Sequence, residues 1–324
     1  MADTSVTGGT AGILENLAPF LRDSLRALPP ELLSGVEEIR LRVGSPLLLR
    51  SARGEFFISS DGLPTREVGK AFIVSSDELS QSLMIISKSS FYALEEELKR
   101  GYITLPGGHR AGICGRAVLE NGAVKGLKSI SSINFRVARY VRGAARELLP
   151  HLFRSKGTST PTHTLIVSPP CCGKTTVLRD LSFSLSEGLG LSRAYQVAVI
   201  DERSEIAAML DGYPQLPVGI RTDVLDACPK AEGIMLMIRS MSPEVVICDE
   251  IGRREDALAI HEAINAGIKV IATAHGGSYE EIAGRPVIGE LVSQGLFETV
   301  ALYSRRRGPG TLERVLNGKG VVIG

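Results

Sequence analysis

The spacing of apolar residues changes character near the middle of the chain, and the change separates two kinds of fold. Residues 1 to about 10 are small and polar and are expected to be loose. From Gly12 to about Ala27, the residues Ile13, Leu14, Leu17, Leu21, Leu25 and Leu28 recur at helical spacing until Pro29-Pro30 ends the pattern, which predicts an amphipathic helix. Val36 to Leu49 alternates as IRLRV, turns at Gly44-Ser45-Pro46 and resumes as an apolar run, which predicts two strands. A second turn at Arg53-Gly54 leads to a third strand, FFIS. The run SSDELSQSLMIISKSSFYALEEELKRG then reads as helices, the first capped by Ser75 or Ser76. The glycine-rich, alternating stretch from Gly101 to Arg139 reads as a small sheet. Together these predict an α+β domain of helices packed on a twisted sheet.

Beyond a short predicted helix, AARELLPHLF, the run Ser155 to Thr162 is polar, contains Gly and Pro, and lacks periodicity, as a linker does. The later chain alternates continuous apolar strands with helices. The strands are TLIVS, QVAVI ending at Ile200, EVVIC ending at Cys248 and IKVIATA ending at Ala274; the helices follow Thr175 and span Ala231 to Met241 and Arg254 to Ala266. Apolar runs without alternation belong to parallel strands covered on both faces. FETVALYS and TLERVLN are expected to add antiparallel strands at one edge. The expected domains are residues 1–150, a linker at 151–162, and an α/β core at 163–324.

Composition narrows the functions without selecting one. With 37 basic and 36 acidic residues, no Trp and 5% aromatics, the chain has no electrostatic footprint for nonspecific nucleic-acid binding, and no specific nucleic acid is expected as a partner. Arg305-Arg306-Arg307 reads as a solvated turn before Gly308-Pro309-Gly310. The five cysteines show no CxxC spacing, so they indicate neither zinc nor a disulfide framework, and their odd number fits a reducing compartment. No run reaches the roughly 18 apolar residues of a membrane span, and MADTSVTGGT lacks the order of a signal peptide. A cytoplasmic protein is expected, with any membrane association made through partners.

Candidate chemistry gathers where strands end. After TLIVS, the loop Ser168, Pro169, Pro170, Cys171, Cys172, Gly173, Lys174, Thr175 and Thr176 enters a helix, as a phosphate-binding P-loop does. Its usual first glycine is Ser168 here, and Cys171 occupies a position where positive φ would burden a residue with a Cβ by roughly 1–2 kcal/mol. Lys174 would reach the β- and γ-phosphates of ATP, and the Thr175 hydroxyl would join the shell of a Mg²⁺ ion. Asp249, after VVIC, stands where a Walker B aspartate holds Mg²⁺, and Glu250 would polarise the attacking water. His275 would sense the γ-phosphate or order that water, or it is simply a hydrogen-bonded histidine in a turn. Asp201-Glu202 would orient water and metal or receive a neighbouring subunit's basic residue.

Taken along the chain, the P-loop, Asp201-Glu202, Asp249-Glu250 and His275 resemble the P-loop, aspartate box, Walker B and histidine box of the secretion ATPases of type II secretion and type IV pili, across Thr164 to about Gly277. The run TDVLDACPKAEGIMLMIRSMSPEVVICDEIGRREDA, Thr222 to Ala257, resembles the stage III sporulation protein AA family of endospore-forming bacteria. Upstream, EEIRLRVGSPLLLR is similar to the opening of the N-terminal domain of pilus retraction ATPases, and SSINFRVAR to the sporulation family's interdomain sequence. The resemblance implies a RecA-like P-loop ATPase that works as a hexamer, with N-terminal arginines lent to a neighbour's nucleotide. The matching positions are Arg110, Arg116, Arg136 and Arg139. It also implies a role in powering assembly or transport at a channel between mother cell and forespore, through membrane proteins of that complex. Two other readings remain: a P-loop scaffold with little or no hydrolysis, and a RecA-like nucleic-acid motor, which the neutral charge balance disfavours.

Overall fold

A computed structural model of the chain describes residues 6–7, 9–87, 101–153 and 159–324. These form two compact units, Thr7–Arg139 with Ala208–Gln215, and Tyr140–Ala207 with Leu216–Gly324. The division falls at Arg139/Tyr140, so residues 140–150, expected with the first domain, pack in the second unit. The expected helix beyond residue 87 and the first part of the expected linker lie outside the described residues.

In the first unit the N-terminal pattern makes two helical pieces, a turn at Ala11–Leu14 and α1 at Pro19–Arg26. Pro19 explains the break with the single helix expected. Its missing N–H is harmless at the first helical position but would be lost from a helix interior. The helix α2, Ser76–Ile86, starts at a capping box in which Ser75 accepts from the Asp77 and Glu78 N–H groups while Glu78 accepts from the Ser75 N–H at 2.8 Å. Seven strands make an antiparallel sheet: β1 (Val36–Arg42), β2 (Leu48–Ser51), β3 (Gly54–Ile58), β4 (Pro64–Thr65), β5 (Tyr102–Thr104), β6 (Arg110–Glu120) and β7 (Ala123–Arg136). Their order is β4-β3-β2-β1-β7-β6-β5. The long β6–β7 hairpin turns at Asn121-Gly122, both at positive φ, which a tight two-residue hairpin turn requires. Leu17, Leu21, Leu25, Leu79 and Leu83 form one core with Ile39, Leu41, Leu49, Ile133 and Phe135 from the sheet.

The second unit is a seven-stranded sheet: β8 (Thr164–Ser168), β9 (Val197–Asp201), β10 (Thr222–Asp226), β11 (Val245–Cys248), β12 (Lys269–His275), β13 (Thr299–Ser304) and β14 (Thr311–Asn317), in the order β10-β9-β11-β12-β8-β13-β14. The first six in that order are mutually parallel. Every residue of β8, β9 and β11 is buried, as continuous apolar runs require. The connecting helices include α3 (Lys174–Glu187), α4 (Lys230–Ser240) and α5 (Arg254–Asn265), and two shorter ones, Tyr279–Ala283 and Pro286–Ser293, lead from β12 to β13. Of the two strands expected to be antiparallel, only β14 is; β13 runs parallel to β8.

The predicted helix AARELLPHLF is instead a series of turns ending in a single 3-10 turn at Leu149–Leu152. Pro150, inside the stretch, lacks an N–H and breaks the helical pattern, and Asp180 on α3 ties down the residues that lead into it. The Asp180 carboxylate accepts from Gly143 at 3.0 Å, Ala145 at 2.8 Å and the Tyr140 hydroxyl at 3.0 Å. Replacing Asp180 with alanine strands two buried donors and one half-buried donor, each worth about 1–3 kcal/mol when unsatisfied. Asp180→Ala should therefore lose about 3 kcal/mol or more, read as a lower urea midpoint with unchanged m-value.

Candidate functional site

Because β8, β9, β11 and β12 run parallel, their carboxyl ends share one edge of the sheet, the edge at which open α/β sheets bind ligands. The loop after β8 turns sharply to reach α3. Cys171 has a φ of 58° and Gly173 one of 84°. Cys171 thus takes the left-handed conformation whose burden the sequence anticipates. At Gly173 an added Cβ would also meet the Gly310 amide nitrogen at 3.1 Å, and the Gly310 N–H donates to the Cys172 carbonyl at 2.8 Å.

Lys174 opens α3 with its side chain turned back into the loop. Its ammonium donates to the Ser168 and Pro169 carbonyls at 3.0 and 3.2 Å, to Ser168 Oγ at 3.3 Å and to His275 Nδ1 at 3.0 Å. Burial pushes this ammonium below the ordinary lysine range, while Asp249 foremost among nearby acidic groups opposes the shift.

The acidic groups come from the next strands. The Thr175 hydroxyl donates to Asp249 Oδ2 at 2.8 Å, so two hard oxygen ligands lie side by side. Among the described residues no group of three or more His, Cys, Asp or Glu side chains is arranged to hold a metal ion. A hydroxyl and a carboxylate are hard oxygen ligands of the kind that would fit Mg²⁺. Glu250 has a φ of 52° and contacts His275 Nε2 at 3.0 Å and Arg203 Nη1 at 3.1 Å. With Nδ1 of His275 accepting from Lys174, Nε2 carries the ring proton and donates to Glu250. A continuous polar chain therefore runs Lys174–His275–Glu250–Arg203. Arg285 fixes the loop after His275, donating to the His275 carbonyl and to Glu281 at 2.6 Å each.

The structure moves Asp201 out of the chemistry. Its carboxylate accepts the Glu205 N–H at 2.7 Å and those of Ile206 and Ala207 at 2.9 Å, and it is 2% exposed. Burial raises its pKa and the three N–H groups oppose that rise. It shapes the loop after β9 instead of orienting water or metal. Glu202 does receive a basic group, but from its own chain, Lys230 at the start of α4, with Arg253 3.9 Å away. The four arginines expected to act on nucleotide all lie in the first unit. Arg110 stacks over Tyr102 at 4.5 Å and faces Arg136 across the β6–β7 ladder, and Arg116 is exposed on the same hairpin. Arg139 donates to the Ser34 and Val36 carbonyls at 2.5 and 2.7 Å, which ties it within that unit.

Lys230, Arg285 and Thr273 carry no motif and are not singled out by the sequence. The one trace of Thr273 is its spacing, two residues before His275 on the same strand, which places both on one face.

A Gly-Lys-Thr loop at a helix start, facing carboxylates on neighbouring parallel strands, defines the P-loop NTPase fold, and the chain has the architecture of the RecA-like secretion ATPases. The ATPase DotB of Yersinia pseudotuberculosis matches with a TM-score of 0.59 and 14% identity, over 93% of this chain and 80% of that one. The crystal structure of the pilus retraction motor PilT with bound ADP matches with a TM-score of 0.54 and 15% identity, over 90% of this chain and 77% of that one. The chain belongs to the family described as sporulation stage III, protein AA, which it matches over residues 12–323. Stage III sporulation protein AA of Bacillus subtilis (strain 168) is 42% identical over 311 residues, 96% of either chain. No helix among the described residues is long and apolar enough to cross a membrane.

The two left-handed loop positions should answer substitution in opposite directions. Gly173→Ala adds a Cβ at φ 84° against the Gly310 backbone and should lower stability by about 1–2 kcal/mol. Cys171→Gly removes a Cβ from a strained position and should leave stability equal or slightly raised. Thermal denaturation of the two variants in parallel tests both.

Proposed function

We propose that this chain binds ATP with Mg²⁺ and hydrolyses it, and that an oligomer of it uses the energy to drive assembly or transport at a sporulation channel. The observation that carries this proposal is the Thr175–Asp249 contact beside the buried Lys174 ammonium, with Glu250 next along the chain. Lys174 would exchange its carbonyl partners for phosphate oxygens. Thr175 and Asp249 would hold Mg²⁺, which neutralises phosphate charge when bound. Glu250, held by His275 and Arg203, would orient and polarise the attacking water. The ADP on PilT, a protein of the same fold, supports nucleotide as the ligand, and the sporulation family supports the setting.

The resemblance to secretion ATPases supports a hexamer and membrane-protein partners. Charge left on the γ-phosphate in the transition state would be met by an arginine from a neighbouring copy. Arg116 and Arg136, exposed on the β6–β7 hairpin, suit that role better than Arg139, whose guanidinium is bound to carbonyls of its own unit, and Arg110 is a third candidate. The chain would work on the cytoplasmic side, at the membrane through its partners.

Lys174→Ala removes the cation from the loop and should abolish nucleotide binding and turnover while the protein stays folded by circular dichroism. Glu250→Gln keeps shape but deletes charge, so binding should survive while kcat falls by about 10²–10⁴, the range for loss of a general base. If binding and turnover fall together, Glu250 belongs to the metal shell instead. Alanine at Arg110, Arg116 or Arg136 should include one variant whose kcat drops about 10³-fold or more with unchanged affinity, the loss expected of an arginine supplied in trans. Full turnover in all three would remove the N-terminal unit from catalysis.

A further inference from the structure

Both acidic residues of the site lie just past the point where strand pairing stops. The last pair between β11 and β12 is Cys248–Ala272, and from Asp249 onward the chain leaves that ladder, while β12 stays paired with β8 as far as His275. One residue of β12 holds all three positions that follow. The Thr273 hydroxyl donates to Asp249 Oδ1 and accepts the Glu250 N–H at 2.8 Å, and the Thr273 carbonyl accepts the Ile251 N–H at 2.8 Å. Thr273 is fully buried.

A hydroxyl has one proton to give. Here it goes to Asp249, so the Glu250 N–H must fall on the oxygen's lone pair, and the direction of the pair of bonds is fixed. Asp249 is thereby gripped on both oxygens, Oδ1 by Thr273 and Oδ2 by Thr175, and its carboxylate cannot rotate without breaking one of them. Glu250 is gripped through its backbone at a φ of 52°, a conformation that residues with a Cβ seldom adopt. That backbone turn sends its carboxylate toward His275 and Arg203.

We propose that Thr273 is a positioning residue that sets both carboxylates together, turning Asp249 toward Thr175 for the metal and Glu250 toward the side from which water attacks. The inference rests on the proposed Mg²⁺–ATP function of this site. It differs from a purely structural role for a buried threonine in predicting that the hydroxyl matters for metal-dependent binding and for kcat, beyond its contribution to folding.

The test compares Thr273→Val, which keeps the branched shape and loses the hydroxyl, with Thr273→Ser, which keeps the hydroxyl and loses the methyl. Affinity for a fluorescent ADP analogue is measured with Mg²⁺ and with EDTA, alongside steady-state ATP turnover. The valine variant should bind in EDTA within about three-fold of the parent and lose most of the tightening that Mg²⁺ gives. Its kcat should fall roughly 10²-fold, as for a reacting group displaced by about 1 Å, and its KM for Mg²⁺–ATP should rise in step with the lost metal-dependent affinity. The serine variant should stay within about five-fold of the parent in every measurement. If the valine variant does not fold, Thr273→Ala takes its place, with the same losses expected. Parental Mg²⁺ enhancement and kcat in the hydroxyl-free variants would overturn the inference, as would a serine variant as impaired as the valine. If the unaltered chain bound no nucleotide in either condition, the proposed function would fail and take this inference with it; if it bound and turned over ATP like its variants, only this inference would fail.

Discussion

Packing six parallel strands side by side forces their carboxyl ends onto one edge, and at that edge the ladder can no longer satisfy the backbone. Much of the polar structure of the second unit answers this constraint. Asp201 at the end of β9 collects three N–H groups, Thr273 on β12 collects those of Glu250 and Ile251, and the Ser168 carbonyl at the end of β8 takes both Lys174 and the Gly276 N–H. The edge is therefore rigid without being inert. It leaves Lys174, Asp249, Glu250 and His275 converging on one place from three strands.

Charge at this edge is arranged in connected pairs. Lys174 meets His275, His275 meets Glu250, and Glu250 meets Arg203, while Glu202 is met by Lys230. An anion that drew Lys174 away would free Nδ1 of His275 and disturb the bond from Nε2 to Glu250. In the proposed function, the same contacts that satisfy the side chains would connect phosphate occupancy to the residue proposed to act on water.

Much of this was legible in the sequence because burial on both faces leaves a plain signature. TLIVS, VAVI, VVIC and KVIATA read as strands, and Gly173-Lys174-Thr175, Asp249-Glu250 and His275 stand at their ends. The misses have physical causes. The strand β10, TDVLD, lies at the sheet edge with every residue half-buried, so its charged positions hide the apolar signal. AARELLPHLF carries a helical pattern, but Pro150 interrupts it, and Asp180, distant in sequence, holds Gly143 and Ala145 in turns at its start. Asp201 reads like Asp249, an acid at the end of an apolar strand. Only the path of the following loop makes one a backbone anchor and leaves the other beside Thr175. Thr273 gives almost no sign, since a threonine within a strand is ordinary until its neighbours are placed.

The central claim is that these strand ends form a single nucleotide site, and the most direct measurement is a crystal structure of the full chain with ADP and Mn²⁺, the metal located by its anomalous scattering. The account predicts one cation between Thr175 Oγ1 and Asp249, with the diphosphate seated on residues 171–175 and Lys174 turned onto its oxygens. A nucleotide bound elsewhere, or a cation held without Thr175 and Asp249, would contradict it.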